Sequence, residues 1–277
     1  MGERMIVSGG GRLREIVPGH AGERRSVPLE GVGALCAAGG NLYAACGCGI
    51  IWRMDSSLLV PTGLFSGGPG ICSLMHDREE KCLYALCAEA DSLLMLSVED
   101  GMPLIVNRVG VNPCAMAMDE SGECIAVAGG ASGELLILRA KTLELLVRFE
   151  TDGVVFGAAL CGAWAYALSL DETMNTMLHA FGPDGQCPVW RLDGMPGALV
   201  RGYGGVLAAT HRALWHILPG ASPHRLCSMP GRAASLFMLH GALAMTDMWS
   251  DTLFVQRGCL HGRWQAAAIG VQDAVIL

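Results

Sequence analysis

The chain has little charge, few aromatic residues and no basic cluster. Only 16% of its 277 residues are Asp, Glu, Lys or Arg, 6% are aromatic, and the formal net charge at pH 7 is −7. A protein that binds the phosphate backbone of nucleic acid needs a basic surface to displace counterions. The longest basic run is Arg24-Arg25, directly after Glu23. The sequence therefore predicts no nucleic-acid partner.

A secretory leader and a disulfide pattern are also lacking. Residues 1–10 contain no long apolar run, and the twelve cysteines are scattered along the chain. We therefore expect reduced, buried thiols and a cytoplasmic location. Two uncharged stretches, residues 31–52 and 153–170, are long enough to suggest a membrane span. The first contains six glycines, which are typical of turns. The second is in phase with the repeat described below. We therefore expect no membrane span.

A repeat of about 40 residues organises the chain. Residues 72–109 and 114–149 each contain a strand of mainly small residues, a turn, an apolar strand, a polar turn and two further strands. The same pattern places unit starts near residues 34, 72, 114, 156, 198 and 234. Four-stranded antiparallel sheets can cover their faces only by stacking around an axis. The sequence therefore predicts an all-β fold, a seven-bladed β-propeller of four-stranded antiparallel blades.

The two ends of the chain are expected to share the seventh blade. Residues 1–31 supply three strands that lack a first strand, and residues 273–277 resemble a first strand. We therefore expect the C-terminal strand to join the N-terminal blade and close the ring, giving a single domain over residues 1–277. Six blades with an extra hairpin is the alternative.

Residues 109–138 resemble the repeat of the YncE-like, YVTN-repeat, lactonase-like seven-bladed propellers. Asn112-Pro113, Asp119–Gly122 and Ile125–Ala128 stand where that repeat has V-G-x-x-P, S-P-D-G-K and Y-V-T-N. The resemblance is good over residues 72–155 and more general elsewhere. It implies a propeller fold, and lactonase members of the family imply the opening of a sugar-derived ester ring. WD40-like repeats fit less well, since the chain has no Trp-Asp pair, and Kelch repeats fit less well, since the aromatic spacing that accompanies their Gly-Gly pairs does not recur.

No common catalytic motif occurs in the sequence. A P-loop, a Rossmann fingerprint, a His-Glu-x-x-His helix and a nucleophile elbow are all missing. Cysteine pairs ten residues apart, such as Cys72 and Cys82, are typical of buried small residues on neighbouring strands and not of a zinc site. The sequence thus predicts no cofactor and favours a protein that is not an enzyme, without deciding that question.

Function is expected where the turns between second and third strands meet the links from one blade to the next, around the channel mouth. These turns carry an acidic rim that would be able to bind a divalent cation or a cationic ligand. The pattern favours the other interpretation, in which the Asp side chains bind their own backbone and build turns. The candidate binding residues are Glu89, Asp91, Asp171, Glu172, His211, Asp247, Trp249 and Asp251.

The sequence therefore favours a non-catalytic binding or scaffolding propeller that takes a small molecule or a protein partner at the channel mouth. The alternative is a lactone hydrolase resembling the lactonase-family propellers. A cluster of Arg and His with one carboxylate at the mouth would favour hydrolysis, and an acidic and aromatic surface would favour binding. A third hypothesis is a structural ring whose channel is filled with apolar side chains.

Overall fold

The computed structural model describes residues 4–17, 23–239, 242–257 and 263–277. Within these ranges, 28 strands form seven antiparallel sheets of four strands each, and a 3₁₀ turn covers Pro183–Gly185. The predicted fold class is confirmed. Residues 1–3 and 18–22 of the predicted closing blade lie outside the described residues. No helix in the described ranges is long and apolar enough to cross a membrane.

The chain forms two compact units, Met1–Val106 with Phe237–Leu277, and Asn107–Leu236. The boundaries fall inside one strand of blade 2 and one of blade 6. The first unit contains blade 1, which consists of β4 (Val32–Ala38), β5 (Asn41–Cys46), β6 (Ile50–Asp55) and β7 (Val60–Ser66). Blade 2 consists of β8 (Ile71–His76), β9 (Cys82–Cys87), β10 (Ser92–Ser97) and β11 (Pro103–Arg108). Blade 6 consists of β24 (Ala233–Leu239), β25 (Ala242–Asp247), β26 (Thr252–Arg257) and β27 (Arg263–Ile269).

The second unit contains blades 3, 4 and 5. Blade 3 consists of β12 (Ala115–Met118), β13 (Cys124–Ala128), β14 (Glu134–Arg139) and β15 (Leu145–Glu150). Blade 4 consists of β16 (Val154–Cys161), β17 (Trp164–Leu170), β18 (Thr176–Phe181) and β19 (Val189–Leu192). Blade 5 consists of β20 (Pro196–Gly202), β21 (Gly205–Thr210), β22 (Ala213–Ile217) and β23 (His224–Ser228). The grouping of the whole chain into one domain stays a prediction.

The closing blade, in the first unit, joins both ends of the chain in one sheet. It consists of β28 (Asp273–Ile276), β1 (Met5–Gly9), β2 (Arg12–Ile16) and β3 (Arg25–Pro28), in that spatial order. The amide of Leu35 in blade 1 donates to Asp273 Oδ2 at 2.8 Å. Gly9 has a φ of +152°, and a Cβ there would lie 1.8 Å from the carbonyl oxygen of Gly270. Only glycine therefore fits where this turn passes the link before β28.

The core lies around the second strand of each blade. Strands β1 and β21 are buried at every residue, and β9 is buried at all but its first. Fourth strands are largely exposed, as in β15, where five of six residues are open to solvent. The near-continuous apolar sequence of the second strands follows from this burial on both faces, since an alternating strand would place polar groups against a neighbouring blade.

Three buried tyrosines occupy the same position in their second strands. Tyr43, Tyr84 and Tyr166 are each the third residue of β5, β9 and β17. The hydroxyls of Tyr43 and Tyr166 are buried without a hydrogen-bond partner. Burial raises the pKa of Tyr166 to about 12. The rings therefore stabilise the blades by packing, and the two hydroxyls contribute a desolvation cost.

Replacing Tyr166 with Phe should stabilise the protein by about 1 kcal/mol, because the variant keeps the ring and removes an unpaired buried hydroxyl. Urea unfolding of the wild type and of Tyr166→Phe measures the difference. Tyr43→Phe should behave in the same way. A loss of stability in both variants would contradict the prediction and would mean that the hydroxyls have partners, such as buried water.

Candidate functional site

A cavity of about 500 Å³ lies between blades 4 and 5 of the second unit. We call it the blade 4–5 cavity. Its walls are the turn between β17 and β18, the link from β19 to β20, and the turn between β21 and β22. These are the types of segment that the sequence predicts to carry function. The polar lining residues are Asn175, Thr176, Arg191, Asp193, His211 and Arg212, and Trp215 with Leu192 and Met195 adds apolar surface.

Hydrogen bonds between neighbouring segments fix the backbone of this cavity. Thr210 Oγ1 donates to the carbonyl oxygen of Asp193 at 2.6 Å. The His211 amide donates to the carbonyl oxygen of Met195 at 3.0 Å. Gly194 has a φ of +101°, and a Cβ there would come within 3.0 Å of Thr210 Oγ1. The link from β19 to β20 therefore needs glycine at this position and is held closely against the turn of blade 5.

His211 is anchored to the link from β19 to β20. Its Nδ1 accepts a hydrogen bond from the amide of Met195 at 2.6 Å. A nitrogen that accepts from an amide is unprotonated, so the neutral imidazole carries its hydrogen on Nε2. Taking up a proton on Nδ1 would break the bond to Met195. The geometry therefore leaves Nδ1 of His211 unavailable as a general base.

The cavity has an excess of positive charge. Arg212 pairs with Asp193 at 2.9 Å, and both side chains are more than half exposed. Arg191, at the end of the fourth strand, makes no ion pair with any residue in the described ranges. One guanidinium is thus neutralised by a carboxylate and the other is not. The cavity is suited to an anion, since an exposed unpaired guanidinium binds carboxylate or phosphate through two parallel N–H bonds.

Asp171 builds the turn in which the sequence places it. Its Oδ1 accepts hydrogen bonds from the amides of Asn175 at 2.7 Å and Thr173 at 2.9 Å, and from Thr173 Oγ1 at 2.9 Å. Its Oδ2 accepts from Asn175 Nδ2 at 3.1 Å. These bonds, above all that from the Asn175 amide, lower the pKa of Asp171. Glu172 follows it in the same turn and is exposed.

Asp247 also binds its own turn, in blade 6 of the first unit. It is the last residue of β25 and is 4% exposed. Its Oδ2 accepts from the amide of Ser250 at 2.9 Å and from Ser250 Oγ at 2.5 Å. Trp249 is 62% exposed. The carbonyl oxygen of Asp251 accepts from the amide of Val271 at 2.6 Å.

Glu89 and Asp91 lie in the turn between β9 and β10 in blade 2 of the first unit. The Asp91 amide donates to the carbonyl oxygen of Ala88 at 3.4 Å, and Asp91 has a φ of +50°. The candidate residues thus belong to four turns, divided between the two units. In the part of the chain that the structure describes, no three His, Cys, Asp or Glu side chains are placed together to hold a metal.

Of the sequence candidates, only His211 lines the blade 4–5 cavity. Arg191, Asp193 and Arg212 were not predicted from the sequence, because the candidates were the acidic residues of the turns with His211 and Trp249. One signal was available. Arg212 directly follows His211, and Arg191 and Asp193 flank the last residue of a fourth strand, the point where the chain crosses to the next blade.

No protein-family model matches the chain, and no curated protein matches it in sequence. Solved structures match its fold. A functionally unknown protein from Desulfotomaculum acetoxidans DSM 771 is similar with a TM-score of 0.80 and 11% identity, over 100% of this chain and 99% of the other. Kuenenia stuttgartiensis hydrazine synthase is similar with a TM-score of 0.71 and 12% identity, over 87% of this chain and 80% of the other.

BBS1N, solved in complex with ARL6DN, is similar with a TM-score of 0.69 and 16% identity, over 88% of this chain and 85% of the other. At these identities the similarity shows the fold and carries no activity, since one fold hosts many unrelated functions. Together with the seven four-stranded sheets, it establishes that the chain has the fold of a seven-bladed β-propeller.

Replacing Asp171 with Ala should lower the melting temperature at neutral pH, because four donors lose their acceptor. The lowered pKa means that this stabilisation is present above the unfolded carboxyl's pKa of about 3.9 and is lost as the pH falls through the folded pKa. Glu172→Ala is the matched control and should leave stability unchanged. Thermal unfolding at neutral pH and below about pH 3 measures both effects; equal melting temperatures for the two variants at neutral pH would contradict the assignment.

Proposed function

We propose that the protein is a non-catalytic binding propeller whose blade 4–5 cavity takes a small organic anion. The observation that carries the proposal is the unpaired guanidinium of Arg191 in the same cavity as the His211 imidazole. A carboxylate or phosphate would accept hydrogen bonds from this guanidinium. Charge-assisted bonds of this kind are the strong ones in protein recognition.

The rest of the cavity supports a ligand with a carbon skeleton. Leu192, Met195 and Trp215 provide apolar wall, and Asn175 provides an amide. The indole Nε1 of Trp215 is buried with no hydrogen-bond partner. Apolar walls with a few polar groups in fixed positions are typical of small-molecule sites. The volume of about 500 Å³ suits a ligand of sugar-acid or dicarboxylate size.

This proposal changes the expected charge of the ligand from positive to negative. The acidic rim predicted from the sequence would bind a cation, and the carboxylates of Asp171 and Asp247 instead accept hydrogen bonds inside their own turns. A protein partner on the same face remains part of the proposal, as do membership of the YncE-like family and a cytoplasmic location. The matches at Asn112-Pro113 and Asp119–Gly122 support the family. The described cysteines form no disulfide, which supports a reducing compartment.

A lactone hydrolase is the second candidate function. His211, Arg191 and Arg212 lie in one cavity with a single carboxylate, Asp193, and this is the combination that would favour hydrolysis. However, His211 Nδ1 is occupied and Asp193 is paired with Arg212, so neither group is poised to take a proton from water. The arrangement is better suited to holding a sugar acid than to forming it from the lactone.

Arg191→Gln should weaken binding of gluconate or citrate by about tenfold, because it removes the charge that pairs with the carboxylate. Isothermal titration calorimetry on the wild type and the variant measures the change. Arg139→Gln is the matched control, since Arg139 pairs with Glu144 at 3.6 Å on the surface of blade 3, outside the cavity.

Binding of neither anion, or equal binding by wild type and Arg191→Gln, would overturn the anion site. Assay of the wild type with gluconolactone separates the two functions. Hydrolysis that His211→Gln abolishes would establish the enzyme, and gluconate binding without hydrolysis would support the binding module.

A further inference from the structure

A second cavity, of about 490 Å³, lies between blades 3 and 4 of the second unit. We call it the blade 3–4 cavity. Its aromatic wall is formed by near-parallel rings. Phe149 and Phe181 stack with centroids 4.2 Å apart and planes 12° from parallel, and His179 and Phe181 have centroids 6.2 Å apart and planes 8° from parallel. The wall is suited to the methylene groups of a ligand and, through the ring faces, to a positive charge.

His179 contributes a buried polar atom to this cavity. The residue is 4% exposed, and its Nε2 lies 2.9 Å from Ser169 Oγ. No hydrogen bond to a described residue engages Nδ1. Burial lowers the pKa of His179, so the ring is neutral at pH 7. In the tautomer whose Nε2–H donates to Ser169 Oγ, Nδ1 has a lone pair that can accept a hydrogen bond from a ligand.

The charges around the cavity are negative. Asp152 lies close enough to His179 to act against the lowering of its pKa. Glu150 and Asp152 are both exposed, and neither forms an ion pair with a residue in the described ranges. Arg148 also lines the cavity, but it pairs with Glu134 at 3.1 Å. Two carboxylates therefore lack a cationic partner beside an aromatic wall.

We propose that the blade 3–4 cavity binds a primary ammonium group on an alkyl chain. The ammonium would donate hydrogen bonds to Asp152, Glu150 and His179 Nδ1, and the alkyl chain would pack on Phe149. A free alkylamine and a lysine side chain of a polypeptide share this chemistry. The proposal is independent of the anion site, since the two cavities share no lining residue.

The test is calorimetric titration of the full chain with n-butylammonium, tetramethylammonium and butyrate. We expect n-butylammonium to bind, and tetramethylammonium to bind more weakly because it has no N–H to donate to His179. Asp152→Asn should weaken n-butylammonium binding by about tenfold, as loss of a hydrogen bond to a charged group implies. Asp152 and the control residue Glu144 are both exposed, so both variants should fold.

Glu144→Gln is the matched control. Glu144 precedes β15 and is 67% exposed in its side chain, but it does not line the cavity, so this variant should bind like the wild type. Equal binding by Asp152→Asn and the wild type, tighter binding of tetramethylammonium, or no binding of n-butylammonium would each overturn the proposal. Titration with Nα-acetyl-lysine amide distinguishes a lysine side chain from a free alkylamine as the ligand. Tighter binding than n-butylammonium supports a polypeptide ligand, and weaker binding supports a free amine.

Discussion

Burial of the second strand of each blade on both faces is the constraint on which the rest of the structure depends. These strands are buried over nearly their whole length in all seven sheets. A four-stranded sheet cannot cover both faces of such a strand by itself, so each blade requires neighbours. In the first unit, β28 covers the inner edge of β1 and brings both ends of the chain into one sheet, which leaves no second strand with an open edge.

This constraint leaves function to the turns and links at the ends of the blades. The carboxylates of Asp171 and Asp247 accept hydrogen bonds from backbone amides of their own turns, as Asp171 does from Thr173 and Asn175. The links between blades differ, because the backbone of a link also forms hydrogen bonds with the neighbouring blade. Bonds such as that of Thr210 to Asp193 hold the link in place, and its charged side chains remain available to solvent and ligand. Binding groups on a rigid scaffold lose little freedom when a ligand arrives.

Blade 4 contributes to two cavities of opposite character. The blade 4–5 cavity has an unpaired guanidinium, and the blade 3–4 cavity has two carboxylates without a cationic partner. A chain with only 16% charged residues has few ion pairs in which to neutralise such groups. Unpaired charges beside apolar walls attract oppositely charged ligands more strongly than charges in open water do, since the local dielectric is lower. Because the two cavities share no lining residue, the two proposed sites can be tested separately.

The sequence by itself determined the four-stranded blades, their number and the sharing of one blade by both ends, because strand periodicity and turn residues are local signals. It also placed His211 in a turn, and this residue lines the blade 4–5 cavity. Tertiary structure alone decided which side chains line the same cavity. Arg191 and His211 are twenty residues apart on different blades and line one cavity, and His179 lines another with Phe149 and Asp152, across a blade boundary. No local pattern encodes such contacts, since the packing of one blade against the next sets the distances between their side chains.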